Sequence, residues 1–187
     1  MVLIIPNAYI VSIKGQSGGQ DVVNVIGIEK QFTTAADVAA KVGAAWKVAN
    51  GPLAKMAQQY QFIETKAMDI STGTGGVASS PQTGVGGSIG NLATNGACAL
   101  VTYGAGTRSK SQRGRLYFGP LQEAMINSDG RTLANAQVFT DAFVAFQNKL
   151  TADGLTWVVL SRKLSTATTI AAIGTQSIIA TQRRRIR

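Results

Sequence analysis

The chain contains no histidine. That absence removes Ser-His-Asp and Cys-His nucleophilic arrangements, imidazole-liganded metals, and the side chain that most often serves as a general base near neutral pH. A single cysteine, Cys98, permits no intrachain disulfide and no thiolate zinc site. With Ala97, Ala99 and Leu100 beside it, Cys98 reads as a small buried hydrophobe. Charge is scarce too. Only 14% of residues are Asp, Glu, Lys or Arg, against about 25% in ordinary soluble domains. Disorder would require low hydrophobicity as well, and 45% of this chain is hydrophobic. What remains for the exterior is Thr, Ser, Gln, Gly and Ala, a surface suited to burial against copies of the same chain. The apolar opening MVLIIPNAYIVSI lacks a basic n-region, carries Pro6 and Asn7, and is too short to span a bilayer. A soluble protein with no membrane partner is expected, and 187 residues suit one domain with a full core.

Acidic residues are few and scattered: Asp21, Glu29, Asp37, Glu64, Asp69, Glu123, Asp129, Asp141 and Asp153. Several have local structural uses, Asp37 in a helix cap, Asp129 in a Ser-Asp-Gly turn and Asp153 before a helix-ending glycine. No D-x-D, E-x-x-E or calcium-loop spacing occurs, so neither a carboxylate metal site nor a paired-carboxylate hydrolase is suggested. Gly73-Thr74-Gly75-Gly76 and Gly84-Val85-Gly86-Gly87 look superficially like phosphate loops, but neither leads into Lys-Ser/Thr or a helix. The expectation is a non-enzymatic protein with no catalytic residue, cofactor, metal or small-molecule substrate.

Hydrophobic periodicity supplies the fold. Residues 8–14 and 21–30 are β-branched runs around Gly15–Gln20, which predicts a hairpin. Val23, Val25 and Gly27 alternate there with Val22, Asn24, Ile26 and Ile28, giving one well-buried face. Thr34 and Asp37 make a capping-box-like helix start, and Asn50-Gly51-Pro52 reads as its stop. Val38, Val42, Ala45, Trp46 and Ala49 form the stripe between them. Leu53–Tyr60 suggests a short extra helix, and residues 61–70 a strand. Residues 71–96 hold eight glycines and no charge, which predicts a long loop or an interface arm. A second hairpin is expected from 97–103 and 115–118, around a basic loop at 104–114. A second helix is expected from about Thr132 to Ala152, with Phe139, Phe143, Phe146 and Leu150 on one stripe. Residues 155–160 read as a central strand, and 177–187 as a last strand that turns basic. The order hairpin, helix, strand occurs twice, without residue-level similarity. The predicted class is α+β, a largely antiparallel sheet with two amphipathic helices packed on one face and a long Gly-rich loop.

The charge that is present is segregated. All nine arginines lie between Arg108 and Arg187, whereas residues 1–107 carry six lysines against five acids. Residues 108–187 hold nine Arg and three Lys against four acids, so nearly all of the net +9 resides there. Arginine makes bidentate contacts to phosphate and carboxylate that lysine does not reproduce, which marks a recognition surface for an acidic partner. Two clusters stand out. Arg108, Lys110, Arg113 and Arg115 are spaced by Ser, Gln and Gly and lead into Leu116-Tyr117-Phe118. Nucleic-acid contact, an intersubunit salt bridge and a solvated loop are the three readings of this segment, with Tyr117 the candidate for stacking on a base. Leu116 and Phe118 alternate with Tyr117 and suit the core. The second cluster, at 182–187, carries Arg183, Arg184, Arg185 and Arg187 beside Ile186. Strand alternation would place Arg183, Arg185 and Arg187 on one side.

The segment Ser111-Gln112-Arg113-Gly114-Arg115-Leu116-Tyr117-Phe118-Gly119-Pro120-Leu121, followed by a long helix, an apolar strand and Thr181-Gln182-Arg183-Arg184-Arg185, resembles small structural, coat-like proteins of uncultured environmental viruses. The resemblance extends in order over most of the chain, including a tryptophan-bearing first helix with Trp46. It implies a virion component, located in the virion and in host cytoplasm during assembly. Sequences of that kind continue past the basic ending with a Pro/Gly/Arg extension, a departure that weighs against a genome-binding tail here. The resulting expectation is a self-assembling capsid or coat subunit whose partners are itself and genomic RNA or DNA. A phage tail or connector subunit and a small basic nucleic-acid-binding module are the alternatives.

Overall fold

The computed structural model describes residues 8–17, 20–30, 34–56, 61–79, 97–105, 112–118, 126–129, 132–159, 165–166 and 170–180. A hairpin of β1 (Ala8–Ser17) and β2 (Gln20–Glu29) is followed by α1 (Ala35–Met56), β3 (Gln61–Asp69) and β4 (Gly75–Ser79). A second hairpin, β5 (Ala97–Ala105) and β6 (Gln112–Phe118), precedes α2 (Ala136–Ala152), β7 (Trp157–Val159), β8 (Ser165–Thr166) and β9 (Ile170–Ala180). The α+β class is as the sequence predicts. The strands divide into two antiparallel sheets, one in the order β4-β3-β1-β2-β7-β8 and the other β6-β5-β9. The returning partner of β5 is β9, while the apolar run at 155–160 contributes β7, which lies between β2 and β8.

Alternation in the first hairpin works as expected. Val11, Ile13, Ile26 and Ile28 are fully buried, whereas Val23 and Val25 face outward. At the start of α1 the Thr34 Oγ1 accepts the Asp37 N–H at 3.2 Å, relieving one of the unpaired donors of the first turn. The expected stop at Asn50-Gly51-Pro52 is not a stop: the helix continues to Met56 and absorbs the first part of the predicted extra helix. A proline forfeits the bond its own N–H would make to the residue four back, here Val48, and its ring crowds that carbonyl, but the bonds of later residues can still form.

The second helix begins four residues later than its stripe suggests, because the residues before it are held in a turn. The Asp129 carboxylate accepts the Thr132 N–H at 2.9 Å and the Thr132 hydroxyl at 2.6 Å, and Ile126 bridges Leu133. Its end matches the Asp153-Gly154 signal: Gly154 takes φ +74° and the Leu155 N–H reaches the Leu150 carbonyl at 2.9 Å. Part of the predicted Gly-rich loop is ordered, since Gly75–Ser79 forms the edge strand β4. Glycine is required there, as a Cβ on Gly76 would sit 2.4 Å from the Ala36 backbone nitrogen at the start of α1.

The two helices pack on each other and on the inner faces of both sheets, α1 against β1, β3 and β4, and α2 against β5 and β9. Aromatic rings fill the junction. Trp46 of α1 stacks on Phe118 of β6 at 5.1 Å and meets Phe146 of α2 edge-on at 5.4 Å. Trp157 lies edge-on to Phe146 and Tyr103, and Tyr103 stacks on Phe143. Such contacts add about 0.5–1.5 kcal/mol per pair to the burial of the rings themselves.

Candidate nucleic-acid interface

The two basic clusters sit at separate places relative to the three-stranded sheet. Ala105 pairs with Gln112 and with Ile170, so the segment carrying Arg108 and Lys110 follows one end of β5 in the chain. Ala97 pairs with Ala180 at the other end, the point from which Arg183, Arg184, Arg185 and Arg187 follow. Nine residues of strand separate those ends, about 27 Å at the usual strand rise. Arg108, Lys110 and the four arginines after Ala180 lie outside the described residues, as do residues 80–96 of the predicted interface arm. Arg113 and Arg115 are strand residues of β6, paired with Gly104 and Thr102. The Arg115 side chain is exposed.

Strand β6 sorts its residues as the sequence alternation suggests. Leu116 and Phe118 are buried in the common core, while Arg115 and Tyr117 face away from it. Tyr117 is half-buried and directly opposite Leu100 of β5, an apolar neighbour on the same face. Gly114 faces inward against Tyr103. A Cβ at Gly114 would lie 2.2 Å from the Tyr103 Cζ, so this strand position must stay without a side chain. Burial pushes the Tyr103 phenol well above its ordinary pKa and keeps the hydroxyl protonated.

The residue that joins the two sheets is Asn24. Its Nδ2 donates to the Tyr117 carbonyl at 3.0 Å and its Oδ1 accepts the Tyr117 N–H at 2.7 Å. The side-chain amide thus does for Tyr117 what a neighbouring strand would do, on the edge of β6 that β5 does not cover. Asn24 is 2% exposed, and an amide buried this deeply is tolerated because its donor and acceptor are both engaged. The signal for it lies in the sequence: Asn24 is in phase with Ile26 and Ile28, a polar residue on the buried face of its strand. Its partner, ninety-three residues away, leaves no such trace.

Among the described residues β7 pairs with β2 at Gly27 and Ile28, and no described strand lies on that side of Val23 and Val25. A cavity of about 490 Å³ lies there, between Val23–Val25 on one wall and Gly114, Arg115 and Tyr117 on the other, with Tyr103 at its base. That size falls within the roughly 300–1,000 Å³ common for small-ligand pockets.

A second polar cluster lies away from this cavity. Asp69 at the end of β3 accepts hydrogen bonds from Lys30, from the Ser71 hydroxyl at 2.6 Å and from the Ser71 N–H at 2.9 Å. The Lys30 ammonium, followed by Ser71, holds this carboxyl well below the usual carboxylate range, and the same bond raises Lys30. Its position, tying the residue after β2 to the end of β3, is that of a structural latch.

No helix among the described residues is long and apolar enough to cross a membrane. No family model matches the chain, and neither a curated protein nor a solved structure is detectably similar to it.

Proposed function

We propose that the chain is a non-enzymatic, self-assembling subunit of a virus shell, a capsid or coat protein whose arginine-bearing half contacts nucleic acid or neighbouring subunits. The observation that carries this reading is the uncovered face of the six-stranded sheet. Helix α1 occupies the other face, yet Val23, Val25, Met68 and Val77 stand 48%, 47%, 46% and 57% exposed on this one. The register places Val25, Ser12, Lys66 and Val77 in one row across four strands. Clustered exposed aliphatic residues on a sheet of low charge are a feature of surfaces that meet other protein. The absence of histidine and the structural employment of the carboxylates of Asp37, paired with Lys41, and of Asp69, Asp129 and Asp153 support a role without catalysis. The excess of arginine supplies the polyanion affinity a shell interior needs.

Negative-stain imaging of the purified protein, with the absorbance ratio at 260 and 280 nm, tests the proposal. Closed particles that carry nucleic acid are expected, and Val25→Asp/Val77→Asp should yield folded protein that no longer forms them. Tubes or rings free of nucleic acid would replace this reading with a tail or connector subunit. Dispersed monomers would overturn both. A small nucleic-acid-binding module is the second reading, favoured by the cavity beside Arg115 and Tyr117.

A further inference from the structure

We infer that the uncovered face of the six-stranded sheet pairs with the same face of a second copy of this chain, about a two-fold axis that runs along the strands between β1 and β3. This deepens the self-assembly part of the reading above and rests on it. The arrangement of charge on the face selects the axis.

The strand register makes the face a grid. One row crosses β4, β3, β1 and β2 through Val77, Lys66, Ser12 and Val25. On one side of that row Glu64 of β3 lies opposite Lys14 of β1, and on the other side Met68 lies opposite Ile10. Val25, Met68 and Val77 are exposed, and so is Lys66, whose ammonium bonds the Glu64 carboxylate at 2.8 Å. Ile10, Ser12, Lys14 and Glu64 are half-buried.

Sheets that pack face to face lie about 10 Å apart with their strands nearly aligned. A two-fold axis between β1 and β3 then sets β3 against the partner's β1 and β4 against the partner's β2. Lys14 meets the partner's Glu64, Met68 meets the partner's Ile10, and Val77 meets the partner's Val25. Lys66 meets the partner's Ser12, a neutral hydrogen-bonding group. Neighbouring placements of the axis lose this match. An axis along β1 opposes Lys14 to its own copy, and one along β3 opposes both Glu64 and Lys66 to theirs. An axis along the central row, across the strands, again sets Lys66 on Lys66. Like charges opposed across an interface disfavour the contact strongly, so one placement remains.

The size of the patch fixes the strength of the pair. Three rows on four strands, with about 4.8 Å between strands and about 6.8 Å between residues of one face, cover about 400 Å² per copy. The total of about 800 Å² falls short of the roughly 1,200–2,000 Å² buried in stable complexes. A pair of this kind is weak by itself and gains strength where each subunit makes several contacts at once, as in a shell.

The test is sedimentation velocity of the full chain, at concentrations below those at which particles form. A reversible dimer is expected. Lys14→Glu and Glu64→Lys each place like charges across the axis, and each should weaken the dimer at least about tenfold. Mixed in equal amounts the two variants should pair again, since the acids of one chain then face the lysines of the other. Ser12→Asp, opposite Lys66 across the axis, should tighten the dimer, whereas an axis along the central row would oppose the two new acids and loosen it. Circular dichroism controls for folding. Should a charge variant not fold, Val25→Asp decides, because it changes an exposed side chain that faces the partner's Val77, and parent-like dimerisation of that variant overturns the pairing. A mixture that stays monomeric overturns it as well, and so does a parent protein that is monomeric throughout. Particles that form although the mixed variants do not pair would sink the pairing and leave the coat reading standing. Paired variants of a protein that never builds particles would do the reverse.

Discussion

The molecule repeats one design with two different outcomes. In its first half the β1–β2 hairpin leads into α1, and β3 returns antiparallel beside β1. In its second half the β5–β6 hairpin leads into α2, and β9 returns antiparallel beside β5. Only the second half has an insertion between helix and returning strand, the β7–β8 pair, which crosses over to extend the first half's sheet at β2. The buried stripes differ as well. Helix α1 buries Val38, Ala39, Val42, Ala45 and Ala49 around the single large ring of Trp46, whereas α2 buries Phe139, Phe143 and Phe146. Small residues let α1 sit close to its sheet, as the tight approach of Gly76 to Ala36 shows. Aromatic residues on α2 instead pack ring against ring, Phe143 meeting both Tyr103 and Trp157. The first half thus supplies a closely packed frame low in net charge. The second supplies arginine and an open strand edge, and the two features that suit an anionic partner occur in the same half.

How far the halves depend on each other can be measured, and the largest effect should come from Trp46. Its ring belongs to the first half yet stacks on Phe118 and abuts Phe146 of the second. Trp46→Ala should cost about 3–5 kcal/mol, the range for an aromatic removed from a packed core, in chemical denaturation followed by circular dichroism. A single shared transition in the parent protein that splits in the variant would show the ring to be the main coupling between halves. A variant that loses stability with one transition would show the coupling to be spread over the whole junction.

A smaller loss is expected from Asn24→Ala. Removing the amide leaves the Tyr117 N–H and C=O without their partner, a cost of about 1–3 kcal/mol, toward the low end because water from the cavity can reach them. Equal stability of Asn24→Ala and the parent protein would mean that the sheets are joined by aromatic packing alone.

The smallest expected effect is confined to the first half and depends on pH. The Asp69 carboxyl titrates below its unfolded value of 3.8, so its contribution is present above that pH and fades as the pH falls further. Lys30 titrates above its unfolded value of 10.5, so its contribution holds below that pH and is lost on going higher. The latch is intact between those limits. Asp69→Asn should lower the urea midpoint near pH 7 slightly and flatten the acid limb of the stability profile. An unchanged acid limb would place the acid sensitivity elsewhere.

Local signals in the sequence carried most of the elements. The stripe of Phe139, Phe143, Phe146 and Leu150, the Asp129 turn and the Gly154 helix end each depend on neighbours within a few residues, and each is where periodicity and turn chemistry put it. The two failures of boundary have local causes of a subtler kind. Asn50-Gly51-Pro52 carries the composition of a stop without ending the helix, and the Asp129 bonds to Thr132 delay the second one. The division into two sheets was not legible, because it rests on which strand β7 and β9 choose as partner. For the interface, arginine segregation drew attention to β6 and the alternation of Leu116 and Phe118 oriented it. The opposing wall at Val23–Val25 went unseen, since nothing about a β-branched run in the first hairpin announces a partner ninety residues on.

The Asn24 clamp also bears on the order in which the chain folds. Each hairpin closes a turn of a few residues, and each helix forms from its own neighbours, so these steps need little loop entropy. Joining Asn24 to Tyr117 closes a loop of ninety-three residues and becomes favourable only after both hairpins and the helix between them exist. This link between the two halves is therefore expected to form late. Asn24→Ala is accordingly expected to speed unfolding in stopped-flow measurements while changing the folding rate little.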